Sequence, residues 1–146
     1  MNDTRNGEWL DPELARPGVS AVNAMTGEVL WSHVQENVCG EGRPFCDPGV
    51  SAAITATDGA VIAGHLDGII RIYDRDSGKI IWSYNTTTPV TGTNGVIAQG
   101  GGMSGSGPAL GAGHMVINSG YGLYNHEAGN ALLVFAPKAS GSVSAR

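Results

Sequence analysis

The residues with the richest chemistry are four histidines, two cysteines, a scatter of aspartates and one glycine-rich segment. His33, His65, His114 and His126 share no interval that would place two imidazoles on one metal ion, and no Ser, His and Asp nominate a catalytic triad. Asp58, Asp67, Asp74 and Asp76 offer oxygen ligands of the kind calcium takes. No loop, however, has the alternating oxygen positions of an EF-hand, and each aspartate stands close to a glycine, where a carboxylate caps a tight turn. Cys39 and Cys46 enclose six residues in NVCGEGRPFCDPG. A pair so spaced, with Gly and Pro around it, is expected to close a loop disulfide in an oxidising compartment. Two alternatives are free thiols and a metal site, which would need two more ligands, with His33 and Asp47 the nearby candidates. The run GGGMS, residues 100–104, is a candidate for ligand contact. Its glycines allow close approach of backbone to a flat ring system, and its amides or Ser104 could bond a carboxylate. Its bland alternative is a flexible entry into the strand that follows.

Composition narrows the class. The 146 residues include 23 glycines, only 14 % charged residues and a net charge of −5. Many glycines and few charges suit short strands and tight turns, whereas long helices would want more Ala, Leu, Glu and Lys. No basic patch or run is present for nucleic acid or an anionic membrane surface. No stretch approaches ~18 consecutive apolar residues, so no membrane span is expected. The first residues, MNDTRNGEWLDPELARPG, lack the basic and apolar regions of a signal peptide, which leaves a cytosolic protein or a chain cut from something longer.

The elements that must position these residues emerge from an internal repeat. SAVNAMTGEVLWS (20–32) and RIYDRDSGKIIWS (71–83) align at a spacing of 51, so that Gly27 matches Gly78 and Trp31 matches Trp82. Each copy reads as a hairpin: an apolar strand, an Asn or Asp capping the turn, a left-handed glycine, then a strand delivering a Trp. Between them SAAITA (51–56), AVIAGH (60–65), IIRIYD (69–74) and KIIWSY (79–84) predict four antiparallel strands, about the size of one propeller blade. Residues 105–122 repeat 51–68 at an offset of 54, and ALLVF (131–135) supplies a third strand after the loop LYNHEAGN. The chain is therefore read as all-β, a β-propeller fragment of about two to three four-stranded blades. Its parts are an irregular N-terminal segment (1–17), a half blade (18–34), a cysteine loop (35–50), a full blade (51–84), an incomplete last blade (101–136) and a disordered tail (137–146). Nine strands with two open edges are expected to be marginally stable alone.

The segments Asn23 to Trp31 and Asp74 to Trp82 resemble the tryptophan-docking motif of eight-bladed quinoprotein dehydrogenases, in which the Trp wedges between blades and the Gly shapes the hairpin. SAAITATDGAVIAGHLDGIIRIYDRDSGKIIW is similar to the penultimate blade of periplasmic alcohol dehydrogenases that use pyrroloquinoline quinone (PQQ). NGVIAQGGGMSGSGPALGAGHMVINSGYG with GNALLVFAP resembles the closing segment of polyvinyl-alcohol dehydrogenases. The resemblance covers about residues 18–137. It implies oxidation of an alcohol at PQQ held on calcium in the central channel, a periplasmic or secreted setting, and a cytochrome c as candidate electron acceptor.

No position here matches the family's calcium ligands or catalytic aspartate, so no catalytic or metal residue is carried over, and activity of the chain by itself is not expected. Innermost strands line a propeller's channel. The cofactor candidates are thus Gly101, Gly102, Met103 and Ser104, with Ser51 and Ala52 on the other inner strand, where small residues also serve packing. The family's closing loop commonly carries an acidic residue near Ser106, and this chain has none there. Trp31, Trp82, Gly27 and Gly78 are expected to be structural. The missing blades, or a second copy of the chain, are the expected partners. A non-catalytic propeller that binds proteins on its faces is the alternative function.

Overall fold

The computed structural model describes residues 16–40, 42–121 and 123–137, with the backbone of Thr4–Arg5 and Glu8–Trp9. The expected tail beyond Pro137 lies outside the described residues. In chain order the strands are β1 (Thr4–Arg5), β2 (Glu8–Trp9), β3 (Gly18–Val22), β4 (Val29–Val34), β5 (Thr55–Ala56), β6 (Ala60–Gly64), β7 (Ile69–Asp74), β8 (Ile80–Asn85), β9 (Val90–Thr91), β10 (Ile97–Ala98), β11 (Ala109–Gly111), β12 (His114–Ser119) and β13 (Ala131–Phe135). Every ladder is antiparallel between sequence neighbours, and the three main sheets are β3-β4, β5-β6-β7-β8 and β11-β12-β13. These are adjacent blades of a β-propeller, with one half, one full and one three-stranded sheet.

The four-stranded sheet is apolar on both faces, which explains why β6 and β7 lack the polar alternation of a half-solvated strand. On one face Ile62, Ile70, Ile72 and Tyr84 pack against Met115, Ile117, Leu133 and Phe135 of the last sheet and against Met103 of the connection leading to it. On the other, Val61, Ala63 and Tyr73 pack against Val19, Trp31 and Val50. Pleating sends alternate side chains of one strand into two different cores.

Both repeated hairpins turn in the same way. Asn23 Oδ1 accepts from the Met25 and Thr26 amides at 2.9 and 3.2 Å, and Asp74 Oδ1 accepts from the Ser77 amide and hydroxyl at 2.8 and 2.6 Å. The Ser77 hydroxyl and amide hold the Asp74 carboxyl below its ordinary pKa. Gly27 and Gly78 follow at φ 76° and 68°. The Trp31 ring lies against Gly78, where an added Cβ would sit 2.5 Å from the ring, and Trp31 Nε1 donates to the Arg75 carbonyl at 2.7 Å. Trp82 meets Phe135 edge-on at 5.5 Å and lines an open groove of about 800 Å³ with Ala136 and Pro137.

Three segments differ from expectation. Only Thr55–Ala56 of SAAITA joins its own sheet. The chain just before it leans on the neighbouring inner segment instead, the Ala53 amide donating to the Gly105 carbonyl at 3.2 Å, and the Thr55 hydroxyl of the strand itself donates to the Pro108 carbonyl. The connection from β8 to β11 carries the small hairpin β9-β10, closed by Asn94-Gly95 with Gly95 at φ 77°. Within the irregular N-terminal segment the backbone forms the two-residue ladder β1-β2.

The pair of hairpin glycines separates two costs. Gly27 and Gly78 share the left-handed backbone, yet nothing lies within 4 Å of a Cβ at Gly27. Gly27→Ala should cost about 1 kcal/mol of backbone strain, and Gly78→Ala about 2 kcal/mol more, because the Trp31 ring must move. Urea unfolding of the two variants checks this; equal losses would mean that the ring is not seated on the turn.

Candidate functional site

Antiparallel pairing puts the β4–β5, β6–β7, β8–β11 and β12–β13 connections at one end of the sheets, and that end holds the candidate residues. The connections are stitched together. Met103 N donates to His65 O at 3.1 Å, Leu66 N to Gly49 O at 2.9 Å, Thr86 N to Gly68 O at 3.0 Å and Gly102 N to Glu127 O at 2.8 Å.

Gly101 and Gly102 are buried, and their missing side chains admit the chain's own backbone: a Cβ at Gly101 would fall 2.4 Å from the Glu127 carbonyl oxygen. Gly101 also exchanges bonds with Ser119, whose hydroxyl donates to the Gly101 carbonyl at 2.9 Å and lies 3.1 Å from its amide. Met103 is 2 % exposed, and its side chain belongs to the core between the two larger sheets. Ser104 is buried and donates to the Tyr121 carbonyl at 3.1 Å. Ser51 is exposed and Ala52 buried, and they lead into Ala53, which contacts Gly105. The two inner segments, 51–55 and 104–108, are thus brought side by side. A small hollow of about 160 Å³ opens beside the second, lined by Ser104, Gly105, Ser106, Asn118 and Tyr121.

Cys39 and Cys46 form a disulfide, with Cα atoms 5.6 Å apart. It closes the loop that presents Arg43, whose guanidinium pairs with Glu127 and donates to the Asp67 carbonyl at 2.9 Å. One cation thereby ties three connections together. His126 Nδ1 lies 3.8 Å from the Asp47 carboxylate across the same junction.

Beneath these loops is a buried polar cluster that spacing alone did not reveal. Asp67, fully buried, caps its turn through the Ile69 amide at 2.9 Å and receives Arg71 in a two-pronged pair at 2.7 and 3.1 Å. The signal was the turn D-G-x-x-R, which folds residue 71 back over residue 67 across a two-residue hairpin. Next to it, His65 Nε2 and the Tyr73 hydroxyl are 2.9 Å apart, both side chains fully buried. Burial, reinforced by the Arg71 charge, lowers the His65 pKa to about 4, and burial pushes Tyr73 up to about 12. His65 Nδ1 faces the Pro48 carbonyl short of a well-formed hydrogen bond. With a neutral imidazole so placed, the phenol donates to Nε2. The Tyr73 ring also packs against Trp31 and His33 of the preceding sheet, at 6.4 and 5.2 Å between centroids.

Among the described residues no three His, Cys, Asp or Glu side chains converge as metal ligands do. Among them, too, no helix is long and apolar enough to cross a membrane.

The profile of the PQQ_2 family, described as outer membrane protein assembly factor BamB, matches residues 14–141. The chain belongs to the PQQ_2 family. Among curated proteins, this PQQ_2 chain is 34 % identical over 131 residues to a polyvinylalcohol dehydrogenase of Pseudomonas sp, covering 83 % of the chain and 20 % of that protein. It is 38 % identical over 117 residues to the polyvinylalcohol dehydrogenase of Sphingopyxis sp. (strain 113P3), covering 78 % and 18 %. A quinohemoprotein alcohol dehydrogenase of Pseudomonas putida matches at 35 % over 71 residues, 49 % of the chain and 10 % of that protein. The PQQ_2 chain thus spans about a fifth of the length of the polyvinylalcohol dehydrogenases it matches.

The buried imidazole makes stability depend on pH. Unfolded, His65 takes its proton near pH 6.5, and folded only near pH 4. Between those values the unfolded state holds more protons, so stability falls as pH is lowered from 6.5 to 4 and this group removes nothing further below that. The interval is worth about 3 kcal/mol. Unfolding free energies at pH 7 and pH 4 should differ less, by about that amount, in His65→Gln than in the unsubstituted chain; an unchanged difference would assign the acid sensitivity to other groups.

Proposed function

We propose that this chain forms the channel-closing blades of a quinone-dependent dehydrogenase that oxidises alcohols, with a polyvinyl alcohol as the substrate class. The observation that carries the reading is the extent of similarity. Identity to two polyvinylalcohol dehydrogenases extends over 83 % and 78 % of the chain, whereas the quinohemoprotein alcohol dehydrogenase matches 49 %.

In this reading the inner segments 51–55 and 104–108 are wall, and the cofactor's chemistry is supplied by blades beyond them. When bound, PQQ supplies the two-electron acceptor. The chain's own contribution is to place Ser51 and Ser104 at the wall, with Gly101, Gly102 and Met103 holding the second segment against the 126–129 loop from behind. The ligands of calcium and the base that takes the alcohol proton lie in other blades, so the chain alone does not turn over substrate. The Cys39–Cys46 disulfide supports a periplasmic or secreted setting, and a cytochrome c is the proposed electron acceptor.

A second reading is favoured by one observation: the matching family is described by the name of an assembly factor. In that reading the blades are a scaffold that binds protein on its faces.

Dye-linked alcohol oxidation separates the two. A longer protein carrying this segment should reduce the dye with a secondary alcohol only when PQQ and calcium are supplied. The 146-residue chain under the same conditions should not. Turnover by the chain alone would defeat the wall assignment, and a PQQ-loaded longer protein with no alcohol oxidation would favour the scaffold.

A further inference from the structure

Four non-glycine residues among those described have left-handed backbones, and three of them, Phe45 (φ 66°), Tyr124 (φ 55°) and Asn125 (φ 61°), sit in two loops at the site end. Left-handed backbone costs a residue with a bulky side chain about 1–2 kcal/mol, and such strain persists where the surroundings over-determine it. Here they do. Phe45 is flanked by Cys46 of the disulfide and lies two residues from Arg43, which is paired with Glu127. The Phe45 carbonyl accepts the Glu127 amide at 2.9 Å, and Tyr124 stands three residues before that same glutamate.

What this strained junction holds up is aromatic surface. Phe45 is 60 % and Tyr124 86 % exposed, and Tyr121, at the entry of the same loop, is 68 % exposed and lines the small polar hollow beside Ser104. No contact within the described residues buries any of the three. An aromatic ring left in water on a backbone that disfavours it does nothing for stability, but it provides rigid contact area at low entropic cost. The exposed rings themselves are apolar and uncharged; the nearest charges, Asp47, His126, Arg43 and Glu127, lie partly buried beneath them. Arg43, the cation of the cysteine loop, is already spent on Glu127 and the Asp67 carbonyl, while the hollow contributes hydroxyls and an amide.

We propose that Phe45, Tyr124 and Tyr121 form a platform that holds the carbon chain of a neutral, hydroxyl-bearing polymer, leading it towards the hollow at Ser104, Ser106 and Asn118. The platform rests on the polymer-alcohol reading for its ligand class, but it concerns binding outside the reacting centre. Methylene groups lie on the rings, and hydroxyls at intervals along the chain meet the polar side chains of the hollow.

Fluorescently labelled polyvinyl alcohol, titrated with the 146-residue chain and followed by anisotropy, tests the platform directly. Asparagine tolerates left-handed backbone, so Phe45→Asn and Tyr124→Asn remove the rings without adding strain, and the thermal midpoint should not fall. Each variant should weaken binding about tenfold, and pentane-2,4-diol should fail to displace the polymer. The polymer should also slow nitration of Tyr124 in the unsubstituted chain, a readout that needs no variant. No binding, equal binding of polyacrylate, or full binding by the double variant would overturn the platform. Absence of PQQ-dependent oxidation of a short secondary alcohol by the longer protein, with polymer binding intact, would instead defeat the dehydrogenase reading and leave the platform standing.

Discussion

The sheet β5-β6-β7-β8 carries buried side chains on both faces, and neither face can be left to water. Ile62, Ile70 and Ile72 point one way, Val61, Ala63 and Tyr73 the other. At roughly 25 cal/mol per Å² of apolar surface, exposing either face would cost more than a domain of this size has to spare. The two partial sheets are therefore requirements of the full one, and their positions follow from its pleat. Everything at the site end inherits this arrangement, because the connections that meet there are anchored by strands fixed in the two cores.

The same constraint made much of the fold legible in the chain. Turn signals such as Asp58-Gly59 and Asp67-Gly68, together with the repeat spacings of 51 and 54, placed β6, β7, β8, β12 and β13 within a residue or so. The cysteine pairing was readable too, since few arrangements satisfy two thiols in a short Gly- and Pro-bearing loop. Residues 51–54 defeated the pattern for a physical reason: a small-residue strand has weak claims on its own sheet, and the next inner segment competes for its amides. The hairpin β9-β10 was announced by Asn94-Gly95 but hidden in a stretch without apolar alternation.

The site end was harder to read because its key contacts join residues far apart in sequence. Nothing near Arg43 announces Glu127, and nothing in GGGMS says that its glycines admit a carbonyl of residue 127. Asp67 looked like an ordinary turn residue, and it is one, but its carboxylate also neutralises Arg71 in a dry interior, where an unpaired charge would be costly. Side chains that do two jobs are under-described by any pattern that recognises one.

The seating of Trp31 on Gly78 has a direction. The earlier sheet supplies the wedge, and the later one supplies the seat at Gly78 and Arg75. Any unit with a seat in its third-to-fourth-strand turn and a wedge on its last strand is compatible with neighbours on both sides. Duplication or loss of a whole unit within the gene would therefore preserve every junction, whereas a half-unit change would strand one wedge without its seat. A repeat joined in this way can change in number by whole units without redesign of the contact between them.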